Sequence, residues 1–231
     1  MLGANWRRTA VVGLGVAGSL LAAASPARAE WMTAVYLGHA LTTPSNLRFG
    51  GDTLRHVEFD DSTTVGGRVG YWFEDGFFGL AVDLLYFTPD AGPQGVVSST
   101  RGQIRFGSFD LSTVALAAEI ALRAPLLASA EYPAGRLQPY LLIGPMLALT
   151  HAKDSTNFGP PNGQSQNRSS VGVSAGIGLA WQMTRQLGVF GEYHLTSFSA
   201  NFRFNANGPK TETNFDLATH HLLVGVSYRF P

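Results

Sequence analysis

The chain has 231 residues, with 16 basic side chains, 16 acidic side chains and no cysteine. Arg7, Arg8 and Arg28 lie in a leader that we expect to be removed, which leaves 13 basic against 16 acidic side chains and a formal net charge of −3. This balance excludes the basic surface of a nucleic-acid-binding protein, so no nucleic-acid partner is expected.

Residues 1–29 have the pattern of a secretory signal peptide. Arg7 and Arg8 give a positive start, the uncharged run 10–24 consists of small and apolar residues, and Ala27 and Ala29 occupy the two positions that a signal peptidase reads. The run is shorter than the roughly 20 residues of a membrane-spanning helix. We therefore predict cleavage after Ala29, with residues 1–29 as signal peptide and residues 30–231 as one mature domain.

The mature part is predicted to consist of strands, because its apolar residues recur at every second position. The alternation is most regular in 171–182, where Val171, Ile177 and Trp181 fall on one face and Ser174 and Gln182 on the other. The same period predicts eight strands, at 31–41, 64–73, 77–88, 108–123, 137–151, 171–182, 187–197 and 217–230.

The connections between these strands alternate in length. Four long polar connections (42–63, 89–107, 152–170 and 199–216) are separated by three shorter ones (74–76, 124–136 and 184–186). Bacterial outer-membrane barrels have short periplasmic turns and long external loops. Closure satisfies the backbone groups that lipid would leave unpaired, and an even strand number puts both chain ends in the periplasm. The predicted fold is all-β, a closed eight-stranded antiparallel up-and-down transmembrane barrel.

Six charged side chains fall on the faces opposite the apolar stripes and are predicted to form a charge network in the lumen: Arg68, Asp83, Glu119, Arg123, Glu192 and Arg229. An unpaired charge in such a place costs on the order of several kcal/mol, so the three acids and three bases should pair. Glu192 and Arg229 lie on neighbouring strands, and we predict that they form one pair. An eight-stranded lumen is narrow enough for side chains to fill, which favours a plugged barrel.

Four segments carry a resemblance to a known family: RVGYWFEDGFFGLAVDLLYFTPD, LQPYLLIGPMLAL, VFGEYHLTSFSANF and THHLLVGVSYRF. They are similar to small outer-membrane β-barrel proteins related to opacity-type surface antigens and to the barrel of outer-membrane protein A. The resemblance implies an integral protein of the Gram-negative outer membrane, in contact with its lipid and lipopolysaccharide. In that family a C-terminal aromatic strand is the signal for the barrel-assembly machinery; Tyr228 and Phe230 match it, and Pro231 follows.

Catalysis and metal binding have little support in the sequence. The stretch EYHLTSFSAN loosely resembles the His-x-Ser stretch of lipid A deacylases, but residues two apart on a strand share a face. His194 is therefore paired with Thr196 and not with Ser197. His220 and His221 point to opposite faces, and His194 with His221 gives two ligands at most, short of the usual three or four. We predict no catalytic residue, no cofactor and no metal site.

The expected function is structural or surface-interacting, with the long external loops as the surface that contacts a protein ligand. The alternative is a narrow channel for small or hydrophobic solutes. A lipid-modifying outer-membrane enzyme is a third interpretation.

Overall fold

A computed structural model describes residues 30–49, 52–73, 76–91, 95–99, 102–106, 109–154, 165–204 and 211–230. The predicted signal peptide lies outside the described residues. Within the described ranges there are twelve strands: β1 (Glu30–Thr42), β2 (Ser45–Phe49), β3 (Asp52–Val57), β4 (Ser62–Trp72), β5 (Phe78–Phe87), β6 (Gly95–Ser99), β7 (Gly102–Phe106), β8 (Phe109–Arg123), β9 (Leu137–Asp154), β10 (Ser165–Gln182), β11 (Leu187–Phe204) and β12 (Thr211–Arg229). Among these residues, none forms a helix long and apolar enough to span a bilayer.

Eight of the strands, called the wall strands below, close into an antiparallel barrel in the order β1-β4-β5-β8-β9-β10-β11-β12. The last strand pairs back with the first, from Met32 opposite Arg229 to Thr42 opposite Thr219. The barrel has a terminal end, where β1 begins and β12 ends, and a loop end, where the long connections lie. This closure confirms the predicted eight-stranded barrel and removes the open sheet edges that a membrane does not tolerate.

Two of the long connections contain additional strands, so the prediction of plain polar loops is wrong there. β2 and β3 form one hairpin and β6 and β7 another; β2 continues the ladder of β12, and β3 meets β6 through Leu54 and Ser99. β10 and β12 also begin six residues before the predicted strands, at Ser165 and Thr211. The prediction followed apolar alternation, whereas backbone pairing continues through polar segments beyond the apolar band.

Side chains alternate between the lumen and an apolar outer wall. In β10, Val171 and Ile177 are 77% and 59% exposed on the outside, whereas Ser174 between them is fully buried. A continuous exposed apolar wall suits contact with lipid. Aromatic side chains form a band around the terminal end of this wall, as at a membrane–water interface: Trp31, Tyr71, Phe73, Phe77, Trp181, Tyr228 and Phe230.

Two inward tyrosines lie across glycines of the neighbouring strand. Tyr36 is opposite Gly66, and Tyr140 is opposite Gly178. A β-carbon at either glycine would overlap the facing ring, so the missing side chain is what gives each ring room to lie along the wall. This packing directs the two tyrosine hydroxyls into the middle of the lumen.

Candidate functional site

The lumen is filled in three layers along the barrel axis: an apolar layer toward the loop end, a polar middle layer, and a charged cluster at the terminal end. The six charges that the sequence places inside the barrel are all buried, with exposed fractions between 0% and 7%: Arg68, Asp83, Glu119, Arg123, Glu192 and Arg229. Their partners decide what the lumen can do.

Arg68 on β4 holds the middle layer together. Its guanidinium donates to Asp83 on β5 from Nε at 2.8 Å and from Nη2 at 2.5 Å. It also donates to Glu192 on β11 from Nη1 and Nη2, at 2.8 Å each. Charge-assisted bonds of this kind are about twice as strong as neutral ones. Because Glu192 lies on a strand that is not adjacent to β4, this pairing crosses the lumen.

Two tyrosine hydroxyls donate further hydrogen bonds to these two carboxylates. Tyr36 on β1 donates to Asp83, and Tyr140 on β9 donates to Glu192 at 2.6 Å. The middle layer thereby contains a side chain from every wall strand: Tyr36, Arg68, Asp83, Glu119, Tyr140, Ser174, Glu192 and His221.

A chain of hydrogen bonds, called the relay below, runs from Glu192 through His194 and Ser174 to Glu119. His194 Nδ1 lies 2.7 Å from Glu192 Oε1, and His194 Nε2 lies 2.7 Å from Ser174 Oγ. Ser174 Oγ lies 2.7 Å from Glu119 Oε1. Carboxylate, imidazole and hydroxyl follow one another as in a hydrolase triad. His194 and Ser174 are fully buried, however, so the hydroxyl has no open position for a substrate.

His221 lies beside the relay toward the loop end. Its Nδ1 is 2.8 Å from Thr64 Oγ1, and its Nε2 is 3.0 Å from Thr196 Oγ1. The ring centre is 6.2 Å from that of His194, so the two histidines meet inside the barrel. His220 lies outside the wall, against the hydroxyl of Tyr193. Hydroxyl partners on both nitrogens make His221 a hydrogen-bonded part of the lumen packing.

One group in the middle layer has the composition of a metal site. Asp83, Glu192 and His194 each offer a ligand atom, and these atoms lie within 4.8 Å of one another. The guanidinium of Arg68 already lies between the two carboxylates and is bonded to both. A divalent cation would meet this fixed positive charge at close range, so the donor set does not fit a metal ion.

A second cluster closes the terminal end. Glu30, the first residue of β1, accepts from Arg123 Nη2 at 2.8 Å and pairs with Arg229 Nη1 at 2.9 Å. Arg123 also lies over the Trp72 ring, 4.2 Å from its centre, and Arg229 donates to Gln138. Glu30 therefore joins β1, β8 and β12 at the place where the first and last strands meet.

The predicted pair of Glu192 and Arg229 is wrong. Glu192 pairs with Arg68, and Arg229 pairs with Glu30. Glu192 lies opposite Leu223, six residues before Arg229, which separates the two charges by roughly 20 Å along the strand. Five residues into β11, the chain has already reached the middle of the wall.

The two remaining parts of the lumen differ in character. Between the middle layer and the terminal cluster lies a cavity of about 40 Å³, enough for roughly two or three water molecules. Arg68, Tyr140 and Arg229 are among its lining residues. Toward the loop end the packing is largely apolar and almost without exposure: Val57, Leu85, Phe87, Ala91, Leu111, Met146, Phe198 and Leu217. The buried threonines there are hydrogen-bonded in two pairs, Thr42 with Thr219 and Thr113 with Thr150.

The other sequence candidates divide between the two faces as the alternation predicts. Thr196 points into the lumen, whereas Ser197 and Ser199 lie on the outside, where Ser199 donates to Asp216 at 2.6 Å. Tyr228 and Phe230, the predicted assembly signal, lie on the outer wall with ring centres 5.2 Å apart. No serine of the EYHLTSFSAN stretch therefore reaches His194.

Sequence reasoning missed several members of these clusters, among them Tyr36, Tyr140, Ser174 and Glu30. The first three occupy inward positions of their strands, so alternation could have found them, but none of them carries a charge. Glu30 lies one residue before the predicted first strand and has no assigned face there. The alternation of side chains along each strand identifies which of them face the lumen. Only the register of the strands in the closed barrel identifies which of them are in contact.

Comparisons with known proteins agree with this architecture. A family model described as outer membrane protein beta-barrel domain matches residues 14–230. No relative among curated proteins matches the chain.

Several solved structures are similar in fold. Neisserial surface protein A is 15% identical over 88% of this chain and 100% of that chain, with a TM-score of 0.51. OprG from Pseudomonas aeruginosa is 14% identical over 86% of this chain and 95% of that chain, with a TM-score of 0.56. A major outer membrane protein from Thermus thermophilus is 12% identical over 88% of this chain and 100% of that chain, with a TM-score of 0.55.

Proposed function

This chain belongs to the outer membrane protein β-barrel family, and we propose that it is a plugged barrel that acts through the surface it exposes outside the cell. In this orientation the terminal end faces the periplasm and the loop end faces outward. The asymmetry of the connections supports it, because both additional hairpins lie at the loop end and bacterial barrels keep their longer loops outside.

The middle layer of the lumen is the observation that carries the proposal. Arg68 pairs with both Asp83 and Glu192 in a space where all three residues are at most 5% exposed. An ion that passes must unpair these charges, and breaking a buried pair costs about 3–5 kcal/mol. We therefore expect a barrel that carries no steady current.

The loop end supplies the proposed contact surface. The hairpins β2–β3 and β6–β7 extend the ladder of β12 into a sheet, so backbone pairing holds this surface in place. Such a scaffold supports binding of an external protein ligand. The apolar outer wall would contact lipid and lipopolysaccharide, and β12, which ends beside Phe230, would be read by the barrel-assembly machinery.

Planar-bilayer recording of the refolded mature chain, residues 30–231, tests the plug. The wild type should show no steady conductance. Arg68→Met removes the cation between two carboxylates and should introduce openings, whereas Arg185→Gln, in the exposed β10–β11 turn, should leave the barrel closed. A steady wild-type current would instead favour the narrow channel.

Labelling of intact cells tests the orientation. Single cysteines in the long connections, at Arg55, Gln94, Gln164 or Lys210, should react with a membrane-impermeant reagent; the side chains at these positions lie outside the described residues. A cysteine at Arg185 should be protected. Reaction at Arg185 alone would reverse the barrel in the membrane.

A narrow path for small apolar solutes is the second candidate, and the apolar layer at the loop end supports it. Phe87, Leu111 and Met146 offer a hydrocarbon surface and no partner for an ion. Faster entry of a hydrophobic solute into vesicles that contain the barrel, without ionic current, would favour this candidate. A lipid-modifying activity ranks third, because the triad-like relay is buried and has no open position for a substrate.

A further inference from the structure

The relay has fewer protons than contacts if its groups have their ordinary charges. It contains three contacts of 2.7 Å, between Glu192 and His194, His194 and Ser174, and Ser174 and Glu119. Each contact needs one hydrogen between its two atoms. Two ionised carboxylates supply none, a neutral imidazole supplies one and a hydroxyl supplies one. One contact would therefore bring two lone pairs face to face.

We infer that the relay is a proton-binding site, which holds one additional proton in the folded barrel. With this proton on His194, the imidazolium donates to Glu192 and to Ser174, and Ser174 donates to Glu119. With the proton on Glu119, the carboxyl donates to Ser174, Ser174 donates to His194, and His194 donates to Glu192. The two forms differ only by a concerted shift of two hydrogens along the relay, and both satisfy all three contacts.

The charges that surround the relay also favour an additional proton. The groups that face it are Arg68 from β4, Asp83 from β5, Tyr36 from β1, Tyr140 from β9 and His221 from β12. In the described middle layer, one guanidinium faces three carboxylates. The additional proton reduces the excess of negative charge in this layer from two to one.

A carboxylate oxygen without a hydrogen-bond partner indicates which end of the relay carries the proton. Glu119 is 2% exposed, and its Oε2 has no hydrogen-bond partner among the described residues. An ionised oxygen without a partner is costly in a sealed lumen. A protonated carboxyl donates through Oε1 and leaves Oε2 neutral, so the form with the proton on Glu119 removes this cost.

The consequence is a dependence of barrel stability on pH. In the unfolded chain, free glutamate and histidine side chains lose their protons with pKa values near 4.3 and 6.5. By about pH 7 the unfolded chain has therefore largely released the additional proton. The folded barrel then binds one proton more than the unfolded chain, and its stability falls as pH rises above this value. The folding equilibrium constant should drop about tenfold per pH unit until the relay also releases its proton. This inference holds whether or not the barrel conducts.

Urea unfolding in dilauroylphosphatidylcholine vesicles between pH 7 and 9 tests it, with Glu119→Gln as the matched variant. The amide that this substitution introduces can donate to Ser174, so all three contacts are satisfied with a neutral imidazole and no additional proton. The equilibrium constant of the wild type should therefore fall about tenfold more per pH unit than that of the variant. Parallel pH profiles would overturn the inference.

Spectroscopy on the wild-type barrel decides the same question if Glu119→Gln does not fold. At pH 7, assigned nitrogen and carboxyl carbon resonances should show a doubly protonated His194, a protonated Glu119, or exchange between the two. A neutral His194 together with an ionised Glu119 and an ionised Glu192 would show that the relay holds no additional proton.

Discussion

Arg68→Met removes the cation between Asp83 and Glu192 while it keeps an unbranched side chain of similar reach. Both carboxylate side chains are fully buried, and together they receive four hydrogen bonds from Arg68. Removing one partner of a buried ion pair costs about 3–5 kcal/mol, and here two carboxylates lose the same partner. We expect a loss of at least that size in the free energy of unfolding, measured with urea in lipid vesicles.

A double-mutant cycle separates the two carboxylates. Glu192→Gln alone should cost less than Arg68→Met, about 1–3 kcal/mol, because Asp83 still neutralises Arg68. The double variant should lose less than the sum of the single losses, with a coupling energy of about 0.5–3 kcal/mol.

The matched control is a cycle of Glu192→Gln with Arg229→Met. Arg229 pairs with Glu30 and lies roughly 20 Å from Glu192 along the wall. The two losses should therefore add to within about 0.5 kcal/mol. A coupling in this cycle as large as in the Arg68 cycle would refute the assignment of partners.

Two further changes test the outer wall and the terminal cluster. Ile177 is 59% exposed on the outer wall, so Ile177→Arg should cost about 2–4 kcal/mol of unfolding free energy near the bilayer midplane. Ser174→Arg, on the opposite face, should act through the packing of the lumen. Little loss for Ile177→Arg in vesicle unfolding would contradict the face assignment. Glu30→Gln leaves Arg123 and Arg229 without their shared carboxylate and should cost about 1–3 kcal/mol of unfolding free energy. The control is Glu131→Gln, in the exposed β8–β9 connection. An equal loss for this control would mean that the terminal cluster makes no specific contribution to stability.

The faces of the wall strands could be predicted because the side-chain period of a strand is two. In β10 this rule separates Ile177 from Ser174 without reference to any neighbour. In β11 it puts Glu192, His194 and Thr196 on one face, where the structure has them. The prediction of the fold needed only this alternation together with the alternating lengths of the connections.

The partners inside the lumen could not be predicted from alternation. Arg68 and Glu192 are 124 residues apart and lie on strands that do not pair with each other. Their contact depends on how far each strand is displaced along the axis when the sheet closes, and alternation leaves this displacement open. The pairing of Arg229 with Glu192 assumed neighbouring strands as partners, whereas the lumen lets side chains meet across it.

The hairpins at the loop end were missed for a different reason. β2 and β3 consist largely of polar and charged residues, and their strand character comes from backbone pairing with β12 and with each other. An apolar stripe is a signal of burial against lipid or a core, so it is weak wherever a strand leaves the bilayer. Length of a connection therefore predicts that it is external, and says little about its structure.

Most of the lumen contacts stabilise the closed barrel and not its separate hairpins. A β4–β5 hairpin can form the pair of Arg68 and Asp83 by itself, because these residues are direct neighbours in the ladder. The bonds from Arg68 to Glu192 and from Tyr140 to Glu192 need β4, β9 and β11 around one lumen. Glu30 reaches Arg229 only when β1 pairs with β12. A partly assembled sheet would therefore expose unpaired charges, and closure removes them together, which makes the last pairing step the one that the buried charges favour most.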